Sequence, residues 1–358
     1  MTLLSREELR PLRDQAPPCV SLYLPTHRAA VEAPEDRIRL KNLLRDAETQ
    51  LAERGVRRPG ELLATARDLL DDAGFWAHPS DGLALFVAPG VFRHYRLPER
   101  FPELAVVGDR FHFAPLLPLI FSDGHFHLLA ISQKRVRLFE GSRHGVQEIE
   151  LRGVPRSMQE AMGYDDNEHA LVDEDLKREV RRFFEVLAEK LEKPLLQHDR
   201  PLPLVLAGVD YERALFREVS RHPRLVAEGG VDGNPDDLSG EELRQRAWPT
   251  VEPVLRAEEQ RAAAAFQELA GTPRASSDLE EVLRASVDGR VDTLFFDPRA
   301  NRWGRFDATE RTVEVHQRRL PGDEDLVDRA ATEALFHGGR VYAGGVSGMG
   351  PLAAVFRY

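Results

Sequence analysis

Two histidines two residues apart, His125 and His127, fall on one face of a predicted strand, with Asp123 just ahead of them. Further along, Asp165, Asp166, Glu168 and His169 gather three carboxylates and an imidazole within five positions. Brought together, these groups would supply the oxygen and nitrogen ligands that divalent cations prefer. Taken singly they have a plainer reading. His-x-His is common on exposed strands, and "YDDNEH" has the composition of a solvated turn, so no metal site is expected. The basic residues cluster at Arg54, Arg57 and Arg58, at Lys177, Arg178, Arg181 and Arg182, and at Arg318 and Arg319. Each cluster suits a polyanion, and each equally suits a solvated helix or loop face. Cys19 opens a predicted core strand, where a thiol is buried and inert. Neither a glycine-rich phosphate loop nor a Gly-x-Ser-x-Gly nucleophile turn occurs.

The elements that must position these residues follow from the patterning. At 358 residues the chain is long enough for two or three domains. With 42% hydrophobic and 30% charged residues it has the composition of a globular protein. The formal net charge of −11 disfavours a broad basic face for nucleic acid but not a local one. No apolar run approaches the roughly 20 residues of a membrane span. The opening "MTLLSREELRPLRDQ" lacks an apolar signal core, so a cytoplasmic address and no membrane contact are expected. A single cysteine rules out an internal disulfide and a cysteine-rich zinc site.

"CVSLYLPTH" reads as a strand, and helical spacing of Ile38, Leu40, Leu43, Leu44, Ala47 and Leu51 follows it. A second helix is expected from about Pro59 to Asp72, then two strands joined through Pro89-Gly90. Three runs, Phe126 to Ser132, Arg135 to Glu140 and Gln147 to Leu151, predict an antiparallel meander. The stretch "GVPRSMQEAMGYDDNEHALVDEDLKREV" then wanders before a long helix from Glu174 to Leu191. "PLPLVLAG" is a short continuous apolar run, the mark of a buried parallel strand. Helix is expected on both sides of Pro249 and Pro253, with an interruption or kink there. From about Ser277 onward an αβα unit closes the chain. The fold class is α/β (α+β).

"VSLYLPTHR", "RIRLKNLLRDAETQLAERG", "DGLALFV", "FHFAPLLPLI", "FHLLAISQKRVRLFEG", "PLVLAGVDYERALF" and "LEEVLRASVDGRVDTLFF" occur in an order that resembles the class-one peptide-chain release factors of archaea and eukaryotes. They also resemble the ribosome-rescue relative Pelota and, more specifically, the bacterial offshoots of that superfamily. The resemblance covers nearly the whole chain. It implies three domains. Residues 1–114 would form a release-factor-like N-terminal α/β domain. Residues 115–276 would form a ribonuclease-H-like mixed-sheet central domain carrying a long loop at 153–175. Residues 277–358 would be similar to ribosomal kink-turn-binding proteins and serve a partner protein.

Two short motifs carry the family's function. An Asn-Ile-Lys-Ser motif that reads the stop codon corresponds here to Ala33-Pro34-Glu35-Asp36, whose carboxylates would repel messenger RNA. A Gly-Gly-Gln motif, which orients water at the peptidyl-transferase centre, would lie on the 153–175 loop. That loop has Gly153, Gly163 and Gln159 but no Gly-Gly-Gln, and the Gly pairs elsewhere are followed by Val231, Arg340 and Val346. The expectation is a ribosome-associated factor of rescue, surveillance or hibernation type, without stop-codon reading or peptidyl-tRNA hydrolysis. Its partners would be the ribosome or tRNA-site RNA, with a translational GTPase or other protein at the C-terminal domain, and no cofactor. Lys177, Arg178, Arg181, Arg182, Arg57 and Arg58 would contact RNA. One alternative is a hydrolase on peptidyl-tRNA or RNA using His125, His127, Asp165, Asp166 and His169. The other is a protein-interaction module that no longer binds the ribosome.

Overall fold

A computed structural model describes residue 4 and residues 6–27, 33–77, 80–121, 124–162, 173–196, 201–344 and 350–358. The chain opens with a short helix α1 (Arg6–Leu9), strand β1 (Cys19–Pro25) and the long helix α2 (Ala33–Glu53). Short helices α3 (Pro59–Leu62), α4 (Ala64–Asp68) and α5 (Ala73–Trp76) lead to β2 (Gly82–Ala88), β3 (Val91–Leu97), β4 (Leu104–Gly108) and α6 (Leu117–Phe121). The middle of the chain holds β5 (Phe126–Ile131), β6 (Val136–Gly141), β7 (Val146–Ile149), α7 (Met158–Met162) and α8 (Asp173–Leu195). It continues through β8 (Leu204–Gly208), α9 (Asp210–Val219), β9 (Val231–Asp232) and α10 (Gly240–Leu269). The last part contains β10 (Ala275–Ser276), α11 (Leu279–Val287), β11 (Val291–Phe296), β12 (Trp303–Asp307), β13 (Thr312–Val315) and β14 (Glu324–Asp325). Helix α12 (Leu326–Phe336), β15 (Arg340–Ala343) and β16 (Leu352–Phe356) end it. The class is mixed α/β.

The chain divides into two compact units, residues 1–122 with 262–358, and residues 123–261. In the first unit β3-β2-β1-β4 form an antiparallel sheet whose central strands β1 and β2 are buried on both faces. Because side chains alternate, Val20, Leu22 and Leu24 of β1 meet Leu40, Leu44, Ala47 and Leu51 of α2. Cys19 and Tyr23 point the other way, into a core shared with Leu283, Leu294, Val327 and Phe356. Segments more than 250 positions apart therefore bury one another. The second sheet, β10-β16-β11-β15, pairs β11 parallel to β15 and antiparallel to β16. A further sheet, β13-β12-β14, lies within the part where sequence pattern predicts only alternating helix and strand. Its strands are short and mostly half-buried or exposed, so they leave little apolar periodicity to read.

The middle unit is one five-stranded sheet in the order β7-β6-β5-β8-β9. The expected meander β5-β6-β7 is antiparallel, and β8 joins β5 in parallel, as its continuous apolar run suggests. Leu129, Ile131, Leu204 and Leu206 face Val180, Phe183, Phe184, Leu187 and Leu191 of α8. Phe126, Leu128, Ala130, Val205 and Ala207 face Leu243, Ala247 and Val251 of α10. Of the interruption or kink expected at Pro249 and Pro253, the interruption does not occur: α10 is continuous through both. Each proline removes one i→i−4 hydrogen bond, but the buried ridge Leu243, Ala247, Val251 brackets Pro249 and holds the helical path. Gly230, ahead of β9, sits at φ 115° where a Cβ would lie 2.4 Å from the Leu206 carbonyl oxygen. Only glycine fits there.

Candidate functional site

Neither of the paired histidines stands open to solvent. His127 lies within β5, fully buried, and by alternation shares the Leu129 face that α8 covers. His125 precedes the strand, and its Nδ1 is 2.8 Å from Glu140 Oε1. Glu140 stands opposite His127 in the β5–β6 register. An imidazole and a carboxylate thus satisfy one another at the start of the strand. The Nε2 of His125 is buried with no hydrogen-bond partner. Asp123, Asp165, Asp166, Glu168 and His169 lie outside the described residues. Among the described residues no group of three or more His, Cys, Asp or Glu is arranged to hold a metal ion.

The first third of the long connecting stretch is ordered by specific bonds. The Val136 amide donates to the Arg156 carbonyl at 2.7 Å, and the Met158 amide to the Gln133 carbonyl at 2.8 Å. Ser157 and Glu160 close the start of α7 reciprocally. Ser157 Oγ accepts from the Glu160 amide at 3.1 Å, and Glu160 accepts from the Arg156 amide at 2.8 Å. This Ser-x-x-Glu capping signal is visible in the sequence and marks a helix where periodicity leaves a loop. Met158, Ala161 and Met162 then pack against the α8 core. Residues 153–162 are folded back onto the sheet.

On α8 the exposed side carries Lys177, Arg178, Arg181 and Arg182, opposite the buried Val180, Phe183 and Phe184. Arg181 is engaged: Nη1 donates to Glu218 of α9 at 2.7 Å, and Nε to Glu185 at 3.3 Å. The hydrogen bond and charge of Glu218 raise its already high pKa. Arg57 and Arg58 belong to the other unit, after α2, where Arg58 pairs with Glu61 at 2.9 Å. The six basic residues are thus distributed over both units.

Two constellations escape sequence reading. At the carboxyl ends of the parallel strands, Gln133 donates to Glu212 at 3.2 Å and Ser132 to Asp236 at 2.8 Å. Burial pushes the Glu212 carboxyl up. Arg213, itself buried, reaches Asp210 at 3.3 Å, Asp232 at 3.0 Å and the Gly229 carbonyl at 3.1 Å. In the first unit, buried Glu333 of α12 accepts from Arg13 at 2.8 Å and Arg110 at 3.2 Å, and Arg329 Nε lies 3.0 Å away. Nearby, Asp328 accepts from the Phe113 amide at 2.8 Å and stands 3.4 Å from His112. Gln133 and Glu212 are 79 positions apart, and Arg13 and Glu333 are 320 apart. No local spacing announces such pairs.

Comparison with known proteins matches residues 125–290 to the family described as bacterial archaeo-eukaryotic release factor family 3. No curated protein matches the chain. Among solved structures the chain is similar to the archaeal translation termination factor aRF1, at 18% identity over 99% of each chain with a TM-score of 0.26. It is similar to Archaeoglobus fulgidus Pelota at 17% identity, over 77% of this chain and 79% of that one, with a TM-score of 0.28. It is also similar to S. cerevisiae Dom34, at 11% identity over 76% of this chain and 74% of that one, with a TM-score of 0.36. Dom34 is described as a translation termination-like factor involved in RNA quality control and interacting with Hbs1.

Proposed function

We propose that the chain, whose residues 125–290 match the family described as bacterial archaeo-eukaryotic release factor family 3, is a release-factor-like, Pelota-like protein that acts as a ribosome-associated translation factor. In this reading it neither reads stop codons nor hydrolyses peptidyl-tRNA. One observation carries the reading: the matched segment includes the 153–175 stretch, and that stretch has no Gly-Gly-Gln. A water-orienting glutamine on a glycine backbone is therefore missing where hydrolytic relatives would keep it. The Glu35 and Asp36 carboxylates at the start of α2 argue against contact with a codon, and Asp36 is already held by His27 at 2.8 Å and Arg39 at 2.9 Å. Lys177, Arg178, Arg181 and Arg182 on α8, with Arg57 and Arg58, are the proposed contacts to ribosomal RNA. Residues 277–358 are the proposed seat of a protein partner such as a translational GTPase.

Salt-dependent co-sedimentation of the purified full chain with ribosomes tests the reading, using extracts from growing, stationary and stressed cells. Binding at low salt that weakens as salt rises is expected, together with no release of peptide from peptidyl-tRNA. Absence from the ribosomal pellet in all three extracts would remove it. The folded-back start of the 153–175 stretch and the engagement of Arg181 by Glu218 favour a second reading, a protein-interaction module. A pull-down dominated by non-ribosomal partners would decide for that.

A further inference from the structure

Strand β3 reads Val91-Phe92-Arg93-His94-Tyr95-Arg96-Leu97 and is the outermost strand of its sheet. Its inner side is matched to β2 residue for residue, from Val91 opposite Ala88 to Leu97 opposite Gly82. Alternate residues therefore point their backbone N–H and C=O groups outward, where no strand meets them among the described residues. Seven residues make it longer than a common strand. Arg93 and His94 are exposed, and Val91, Phe92, Tyr95 and Arg96 are half-buried.

Proteins usually blunt such an edge with charges that repel a second strand. The charges of β3 are placed to do the opposite. An antiparallel copy, related by a two-fold axis through His94, would set Arg93 opposite Tyr95, Phe92 opposite Arg96 and Val91 opposite Leu97. Directly opposite residues share one face of a sheet, with Cβ atoms about 4.5–5.5 Å apart. Both arginines then meet an aromatic ring, an attractive pairing, and no two arginines oppose each other. The same chemistry already operates within one chain: Arg96 lies 4.2 Å over the Phe75 ring. Arg93 forms no ion pair among the described residues and donates to the adjacent Phe92 carbonyl at 3.0 Å. Moving the axis to Arg93 would oppose two arginines, and moving it to Tyr95 would set His94 against Arg96. The pattern selects one register.

We infer that two copies of this chain pair through the outer edge of β3, antiparallel and in register about His94. The contact is isologous, and it joins the two sheets into one in the order β4-β1-β2-β3-β3-β2-β1-β4. A single strand pair is a small interface, so the association is weak and concentration-dependent. The inference stands apart from the ribosome reading, since it rests on the side chains of one strand.

Sedimentation velocity on the full chain between roughly 1 and 100 μM tests this, with a shift from monomer to dimer expected across the range. His94→Glu and His94→Lys each put like charges on the axis and should abolish the dimer. An equimolar mixture of the two variants should restore it. Cysteine pairing reads the register. The H94C variant sets its two thiols on Cα atoms about 4.5–5.5 Å apart, within disulfide reach. The R93C variant places them on a diagonal of about 7–8 Å, beyond that reach. Native Cys19 is buried, so mild oxidation should link H94C into a covalent dimer and leave R93C largely unlinked. Both positions are exposed, and matching unfolding midpoints exclude a folding defect. A chain that stays monomeric throughout, with no H94C dimer, overturns the inference and leaves the edge to an extended segment of another protein. Cross-linking as efficient through R93C as through H94C overturns it too, as does a mixture of His94→Glu and His94→Lys that remains monomeric.

Discussion

Asp325 shows how much a single residue's chemistry depends on its surroundings. It caps α12 by accepting from the Val327 amide at 3.0 Å, and it also accepts from the Arg302 amide at 3.1 Å. Burial pushes its carboxyl up to about 6, with Asp328 adding to the rise and His112 opposing it. The folded chain therefore holds a proton that the unfolded chain, at the ordinary value of 3.8, has released. Stability falls as pH climbs between those two values. His112 acts in the same sense. Burial alone would lower its pKa, but the charge and hydrogen bond of Asp328 raise it overall. Its contribution is complete below the ordinary 6.5 and is lost as pH passes the raised value. Thermal unfolding should accordingly give a lower midpoint at pH 8 than at pH 6. Asp325→Asn keeps the capping oxygen and should raise the midpoint at pH 8 while removing the part of the decline that lies between the ordinary 3.8 and about 6. A variant no more stable than the wild type at pH 8 would count against this account.

At the scale of elements, α8 divides into a side that is buried and stabilises and a side that is exposed. Leu187 is fully buried among Leu129, Phe183 and Leu206. Leu187→Ala should cost about 2–5 kcal/mol through reduced burial and a residual cavity. Lys177→Ala, on the exposed side, should change stability by no more than about 0.5 kcal/mol. Urea denaturation monitored by circular dichroism measures both, and similar destabilisation by the two would contradict the assignment of faces. The helices and strands with strong period were legible in advance: α2, α8, β1 and β8 stand where apolar spacing puts them. The weak-period elements were not. α7 is announced only by Ser157 and Glu160, and β12 to β14 carry too little buried surface to alternate clearly.

For the first compact unit as a whole, Glu333 ties the two ends of the chain together. Arg13 and Arg110 come from the N-terminal segment, whereas Arg329 shares α12 with the carboxylate. Phe113 stacks edge-on to Phe336 across the same seam, and Arg13 lies 5.1 Å over the Phe336 ring. Removing one partner of a buried ionic group leaves the others uncompensated, at a cost of about 3–5 kcal/mol. Glu333→Gln should therefore lower hydrogen-exchange protection in β1 and in β11 together. Protection reduced only in β11 would show that the two segments unfold independently.

The amino-acid sequence by itself determined the local content of this protein, because local content depends on periodicity, caps and breakers within a few turns. It determined the mixed α/β class, the antiparallel meander, the parallel β8 and the missing Gly-Gly-Gln. Tertiary structure alone decided which charges are neutralised. Arg39, Arg181 and Arg213 meet carboxylates on other turns or other elements, while Arg37, Lys41 and Arg45 are left without ion pairs among the described residues. It likewise decided that His127 lies within a buried strand and that His125, just ahead of it, is taken up by Glu140 rather than by an open site. Pairing and burial are long-range. They arise when segments far apart in sequence exclude water from a common surface, and no spacing along the chain encodes which carboxylate will be waiting there.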